Sequence, residues 1–284
     1  MDRVGLVLEG GGLRGVYTAG VLEFFADHNL YFPYTIGVSA GACNAVSYLS
    51  KQKGRNKVVN IDFIKDFRYL SWRNMWRSRE LFGTDFIFDE IPHALVPFDY
   101  DTFHAGNEEF VIGTTDCETG EPVYYAKSEG GFDLMHILRA SSSLPFIAPI
   151  VEHAGRKLMD GGIADPIPIR KAEQDGWRKN VVVLTQSRDY VKKPNRFSWV
   201  LQRNYGQYPH FVETILTRHR LYNATTDYVK QQVRKGLAFV IQPKTRLAVG
   251  RVERNQEKLK LSYQQGYDDA RQAYPALSKW LGQA

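Results

Sequence analysis

Gly37-Val38-Ser39-Ala40-Gly41 fits the pattern Gly-x-Ser-x-Gly, and its neighbours decide the fold. Before it runs Tyr34-Thr35-Ile36, a short extended stretch held out of helix by Pro33. After it, Ala42-Cys43-Asn44-Ala45-Val46-Ser47-Tyr48-Leu49 has the small and apolar residues of a buried helix. A serine between a strand and a helix sits on a sharp turn that exposes its hydroxyl. Gly37 and Gly41 fit that geometry, because side chains there would collide with the neighbouring strand or helix. The helix begins just behind the serine, so its free N–H groups and positive dipole end face any oxyanion formed there. Taken alone, the five residues are equally compatible with a glycine-rich turn holding an ordinary serine.

Upstream, residues 3–8 read as a first strand, apolar on both faces as in a parallel sheet. Glu9-Gly10-Gly11-Gly12-Leu13-Arg14-Gly15 then leads into a helix over Val16–Asp27. Gly10, Gly12 and Gly15 match the Gly-x-Gly-x-x-Gly of a dinucleotide site, which requires an acidic residue about 20 positions on to hold the ribose. The second strand ends instead in Gly37-Val38-Ser39, without a carboxylate. The same loop can present bare backbone N–H groups to an anion, with Arg14 as a nearby cation. An acyl-transfer enzyme needs such donors, and losing one typically raises the barrier by about 3–4 kcal/mol. If the first two strands are neighbours, this loop stands beside Ser39.

Further along, residues 58–88 are expected to be largely helical, with Pro92 and Pro97 breaking the chain beyond them. Residues 109–114 and 122–126 read as strands bracketing an Asp116–Gly120 hairpin turn. Residues 133–140 form a helix running into Ser141-Ser142-Ser143, whose hydroxyls suit capping or lining a turn rather than reacting. Residues 157–160 are a short strand ending in Asp160-Gly161-Gly162, which pins a carboxylate at a sheet edge. Strands are also expected at 180–185 and 237–242, with helical stretches over 197–235 and 253–280. Alternating strands and helices define an α/β fold with a mostly parallel central sheet flanked by helices, ending in a helical tail.

The 284 residues suffice for one large domain with an appendage. Lysine and arginine number 37 against 31 acidic residues, a basic excess compatible with anionic membranes or a generic basic surface. No nucleic-acid-binding signature accompanies it, so nucleic acid is not an expected partner. No apolar run approaches the roughly 18 residues of a membrane span, and the short apolar stretch Val4–Leu8 does not make a signal peptide. Cys43 and Cys117 provide neither a disulfide framework nor a metal-ligand spacing. The expectation is a cytoplasmic protein without metal or cofactor.

A serine nucleophile needs a base. The α/β-hydrolase order of serine, acid and histidine fits poorly. His28, His93, His104, His136 and His153 precede Asp160, while His210 and His219 fall in an expected helix. Only one helix and one strand fit between Gly12 and Ser39, where that plan places further strands.

At this point the chain resembles the patatin-like phospholipases, lipid acyl hydrolases with a Ser–Asp dyad. The matching pieces are Gly10-Gly11-Gly12-Leu13-Arg14-Gly15, Gly37-Val38-Ser39-Ala40-Gly41, Ala140-Ser141-Ser142-Ser143-Leu144-Pro145 and Asp160-Gly161-Gly162, in the family's order. The resemblance implies Ser39 as nucleophile and Asp160 as general base, with Gly161 and Gly162 supporting the dyad. It implies an oxyanion loop from Gly10 to Gly15, with N–H donors around Gly11, Gly12 and Leu13 and Arg14 bracing them. It further implies metal-independent cleavage of phospholipid or lysophospholipid esters by a catalytic domain, 1–250, carrying a helical extension, 251–284. The alternatives are a catalytically silent lipid-binding or regulatory protein and a nucleotide-binding protein.

Residues 67–82 offer contact with an anionic membrane. Trp72, Trp76, Leu70, Met75, Leu81 and Phe82 alternate there with Arg68, Arg73, Arg77 and Arg79. Rings and guanidinium groups together suit the headgroup region. The lack of one clean apolar stripe favours instead aromatics that cover the core.

Overall fold

Val4, Leu6 and Leu8 face one hydrophobic cluster and Val7 faces another, so Val4–Leu8 (β1) is buried on both sides. Only a strand in the middle of a helix-covered sheet needs that composition. The computed structural model describes residues 3–195 and 198–282. Phe197, where the helical stretch 197–235 was expected to begin, and residues 283–284 of the expected extension lie outside the described residues.

β1 pairs in parallel with Tyr34–Val38 (β2) and with Lys179–Val183 (β7), which pairs in parallel with Ala238–Ile241 (β8). On the other side β2 pairs in parallel with Glu109–Asp116 (β3). Antiparallel strands complete that side: Pro122–Ala126 (β4) and Arg156–Asp160 (β6) on β3, and Val151–His153 (β5) on β6. The sheet is mostly parallel, as its sequence pattern implies.

One detail of register positions the site. Residues 111–113 of β3 pair with β4 and with β2, which therefore lie on opposite edges. Thr114 and Thr115 pair with β4 and with β6, so β6 shares the edge of β2. Val38 pairs with Gly113 and Asp160 with Thr114, the very next residue. Thus β2 and β6 approach each other end to end along one edge of β3, and the chain following each leaves the sheet at the same place.

The helices are Val16–Asp27 (α1), Ala40–Leu49 (α2), Arg55–Lys57 (α3), Trp72–Ser78 (α4), Tyr100–Ala105 (α5), Leu134–Ser141 (α6), Ile169–Gln174 (α7), Ser198–Tyr205 (α8), Pro209–Arg234 (α9) and Gln256–Leu281 (α10). α1, α2, α6 and α10 enclose one face of the sheet, and α7 and α9 the other. α10 lies against α1 at unusually close range. A Cβ on Gly20 would be driven into the Tyr263 carbonyl, and one on Gly266 into the Tyr17 carbonyl. Tyr17 also donates its hydroxyl hydrogen to Asp269 at 2.9 Å. Two bare backbones therefore meet at this crossing.

The stretch 58–88 departs from the expected helix. It breaks into a wide turn at Val58–Asp62, a tight one at Phe63–Lys65 and the short α4. Asp66 accepts from the backbone N–H and guanidinium of Arg68, which turns the chain. A bridge between Leu70 and Phe82 then closes a loop, with Ser71 capping α4 through the Asn74 N–H at 3.2 Å. Local hydrogen bonding by short polar side chains outcompetes the helix here. Pro92 does not break the chain: it sits inside a wide helix, Phe86–Leu95, whose irregular ladder tolerates a missing N–H.

In the 67–82 stretch the aromatics divide. Leu70 and Leu81 are buried and Met75 and Phe82 pack against the core, whereas Trp72 and Trp76 are 74% and 92% exposed. The core-covering reading holds for Leu70, Met75, Leu81 and Phe82 and fails for the two tryptophans.

Candidate active site

Ser39 stands at the junction of β2 and α2 with φ +53° and ψ −128°, a conformation that L residues rarely adopt. Its surroundings hold it there. The Ser39 N–H donates to Ser141 Oγ at 2.8 Å, and that hydroxyl donates to the Gly113 carbonyl at 2.6 Å. Gly41 lets α2 press onto β1, since a Cβ there would lie 2.6 Å from the Leu8 carbonyl oxygen. The nearby hydroxyls of Ser142 and Ser143 hydrogen-bond to Cys43 Sγ and the Arg139 carbonyl, in the lining role expected of them.

The glycine loop runs alongside. A Cβ at Gly10 would sit 3.2 Å from that of Ser39. The Gly10 N–H reaches the Pro166 carbonyl at 3.4 Å, and the Leu13 N–H donates to the Arg251 carbonyl at 3.1 Å. Leu13 is thereby withdrawn from the expected donors: its N–H anchors the loop to the chain ahead of α10. Among the described residues, the Gly11 and Gly12 N–H groups have no protein acceptor. Gly12 adopts φ +57°, and a Cβ on it would come 2.8 Å from the Arg251 carbonyl oxygen. Arg14 is half-buried, its guanidinium held by the Gln186 amide oxygen. Glu9, which sequence reasoning passed over, is buried beneath the loop. It accepts from the Thr185 N–H and hydroxyl and from the Tyr222 hydroxyl on α9.

Asp160 ends β6, with its N–H on the Ser143 carbonyl at 2.8 Å and its carbonyl accepting from Thr115 Oγ1 at 2.9 Å. Gly161 passes so close to the Gly113 carbonyl that a Cβ would overlap it, and the Gly162 N–H donates to Asp160 Oδ1 at 2.8 Å. Oδ2 is buried without a hydrogen-bond partner. Burial raises the pKa of this carboxyl above its ordinary value, opposed by the Ser39 hydroxyl and by the cations Arg218 and Arg251. The hydroxyl therefore stands close to the carboxyl, whose Oδ2 makes no hydrogen bond. Arg218 on α9 donates its Nε–H to the Gly162 carbonyl.

A cavity of about 120 Å³ opens at Ser39. Gly12 and Leu13 form one wall, and Val46, Phe88, Ile91 and Leu138 are among the side chains that make it apolar. Among the described residues no histidine lines it. His28 instead stacks on Phe24 with ring centres 4.0 Å apart. Burial raises Cys43, at the cavity wall, to about 11 and Cys117 to about 12. Among the described residues no three metal-ligating side chains come together. A hydroxyl beside a desolvated, half-unpaired carboxylate can lose its proton to it, and the free N–H groups of Gly11 and Gly12 can receive an oxyanion.

The mostly parallel sheet thus carries a strained serine after β2 and a buried aspartate ending β6. The chain belongs to the patatin-like phospholipase family, whose model matches residues 6–173. A domain of unknown function (DUF6363) matches residues 208–282, covering α9, β8 and α10. The uncharacterized protein YjjU of Escherichia coli is 30% identical over 202 residues, 69% of this chain and 55% of that protein. The lysophospholipase NTE1 of Debaryomyces hansenii is 27% identical over 66% of this chain and 12% of its own length. The chain therefore spans about half or less of these relatives. VipD from Legionella pneumophila shares the fold, with a TM-score of 0.50 at 12% identity over 97% of this chain and 67% of that one. Among the described residues no helix is long and apolar enough to cross a membrane.

Proposed function

We propose that the chain is a serine acyl hydrolase that cleaves carboxylic esters of phospholipids or lysophospholipids with Ser39 and Asp160. The observation that carries this reading is Asp160 Oδ2, buried and unpaired near the Ser39 hydroxyl at the mouth of an apolar cavity. Ser39 Oγ attacks the ester carbonyl carbon as its proton passes to Asp160. The carbonyl oxygen gathers negative charge against the Gly11 and Gly12 N–H groups and the start of α2. The alcohol departs with the proton, and water, deprotonated by the same carboxylate, releases the acid from the serine. The acyl chain lies in the apolar cavity throughout.

A fluorophosphonate probe tests the reading. It is expected to label the wild-type protein at Ser39 and to leave Ser39→Ala unmodified. Ser39→Ala and Asp160→Asn are each expected to lower kcat by about 10³-fold or more, with the double variant hardly worse because the pair acts as a unit. Near-wild-type turnover by Asp160→Asn would assign the base elsewhere. An unlabelled wild-type protein that still binds lipid would favour the silent, lipid-binding reading.

The exposed Trp72 and Trp76 lie one helical turn apart on α4, with Arg73 and Arg77 beside them. Tyr69 and Phe82, at the base of the same loop, line the cavity at Ser39. This supports membrane contact through the loop, which we place at the inner face of the membrane of a cytoplasmic protein. The division into a catalytic domain, 1–250, and an extension, 251–284, is likewise a proposal. Deleting 251–284 removes the anchor of Leu13 and the partner of α1, so the truncated chain is expected to be insoluble.

A further inference from the structure

A second cavity, of about 340 Å³, shares the walls Leu144 and Ile147 with the one at Ser39. Its charged lining is basic, with Lys192, Lys193, Arg218 and Arg251 beside Asn195 and His219. The cleft is tied to both halves of the site. Arg218 bonds to the Gly162 carbonyl, and the Arg251 backbone carries the glycine loop.

The charges in this region do not balance. Arg251 acts on Arg14, Lys192 and Arg218, and the carboxylates that oppose it on those three are Glu9 and Asp160. Glu9 is already engaged by Thr185 and Tyr222. Among the described residues none of the four cations forms an ion pair with a carboxylate. Burial and then the neighbouring arginines hold Lys192 down to about 7 and Arg218 to about 10. Crowding desolvated cations is unfavourable unless an anion joins them. Lys192 is nonetheless fixed in place. Its N–H donates to Asn223 Oδ1 at 2.9 Å, and its carbonyl accepts from Asn223 Nδ2 at 3.1 Å.

The guanidinium fork and the ammonium are phosphate-binding chemistry. Resting on the acyl-hydrolase reading, we propose that Lys192, Lys193, Arg218 and Arg251 form a phosphate subsite. It seats the headgroup phosphate of a glycerophospholipid or lysophospholipid whose acyl chain enters the cavity at Ser39. A glycerol backbone joins the two groups in such a lipid, as Leu144 and Ile147 join the two cavities.

The test has a binding arm that needs no turnover. Titrating Ser39→Ala with inorganic phosphate is expected to show binding, weakened at least tenfold by adding Lys192→Ala and Lys193→Ala and largely restored by Lys192→Arg with Lys193 intact. In the kinetic arm, the two alanine substitutions in the active protein are expected to lower kcat/KM for a lysophosphatidic acid at least tenfold, mainly through KM. Hydrolysis of a monoacylglycerol with the same chain should fall much less than that of the lysophosphatidic acid. Inorganic phosphate should compete with the lysophosphatidic acid and inhibit monoacylglycerol hydrolysis much less. Phosphate that binds without competing would identify a site for the free anion and overturn the headgroup assignment. So would equal losses on both lipids, or no phosphate binding in a protein that hydrolyses both. If phosphate binds as expected and no ester is cleaved, the subsite stands and the hydrolase reading falls.

Discussion

Ser141 Oγ accepts the backbone N–H of Ser39 at 2.8 Å while donating to the Gly113 carbonyl, so one hydroxyl ties the strained turn to the adjacent strand. Both bonds are buried. Ser141→Ala leaves a donor and an acceptor unpaired there, a loss of about 1–3 kcal/mol of stability. If the hydroxyl also aims Ser39, kcat is expected to fall about 10-fold or more while KM moves little. A lower melting temperature with unchanged kcat would make Ser141 a purely structural residue.

Asp160 must be unprotonated to act as a base. Its pKa is raised by burial, so kcat/KM is expected to fall with acidification at a pH above the ordinary carboxylate value of about 4. Arg218 is one of the cations that oppose the rise. Arg218→Met should therefore move the acid limb to still higher pH. A pH–rate profile whose limb ignores this substitution would place the titrating group elsewhere.

The crossing of α1 and α10 has no room for methyl groups. Gly20→Ala and Gly266→Ala are each expected to destabilise by about 3 kcal/mol, the range of overpacked cores. Gly130→Ala, where nothing lies within 4 Å of the new Cβ, is the control and should be neutral. Urea unfolding distinguishes them, and equal midpoints for all three would mean that the helices separate freely.

Membrane contact by α4 gives opposite expectations for affinity and fold. Trp72→Ala with Trp76→Ala should leave the melting temperature within about 1 °C, because exposed residues contribute little to stability. The same pair should reduce sedimentation with anionic vesicles. Arg73→Ala with Arg77→Ala should reduce it too and weaken its salt dependence, at about 1 kcal/mol per arginine. Undiminished sedimentation of both double variants would remove this loop from the contact surface.

Much of the fold was legible because parallel strands and glycine turns write themselves locally. The Gly10–Gly15 loop, the turn at Ser39 and the Asp160-Gly161-Gly162 end each lie within a few consecutive residues. The basic cleft was not legible, because Lys192, Arg218 and Arg251 come from three separate segments joined only by tertiary packing. Nor was the position of α10: Gly20 and Gly266 read as poor helix residues until their backbones are seen to touch. Residues 58–88 misled because helical composition says nothing of the side-chain hydrogen bonds that Asp66 and Ser71 offer their neighbours. Glu9 had a signal, an acid directly before three glycines, that only its buried partners make intelligible.

The end-to-end meeting of β2 and β6 on β3 has a bearing on when hydrolysis can begin. Ser39 and Asp160 come from distant parts of the chain and meet on β3 at the step from Gly113 to Thr114. A slip of β6 by one residue would turn the carboxylate to the opposite face of the sheet. Long-range pairings of this kind form late and together. On the proposed mechanism, a nascent or half-unfolded chain has no means of attacking lipid. Strand alignment is then itself a safeguard, keeping a misassembled esterase silent in the cell.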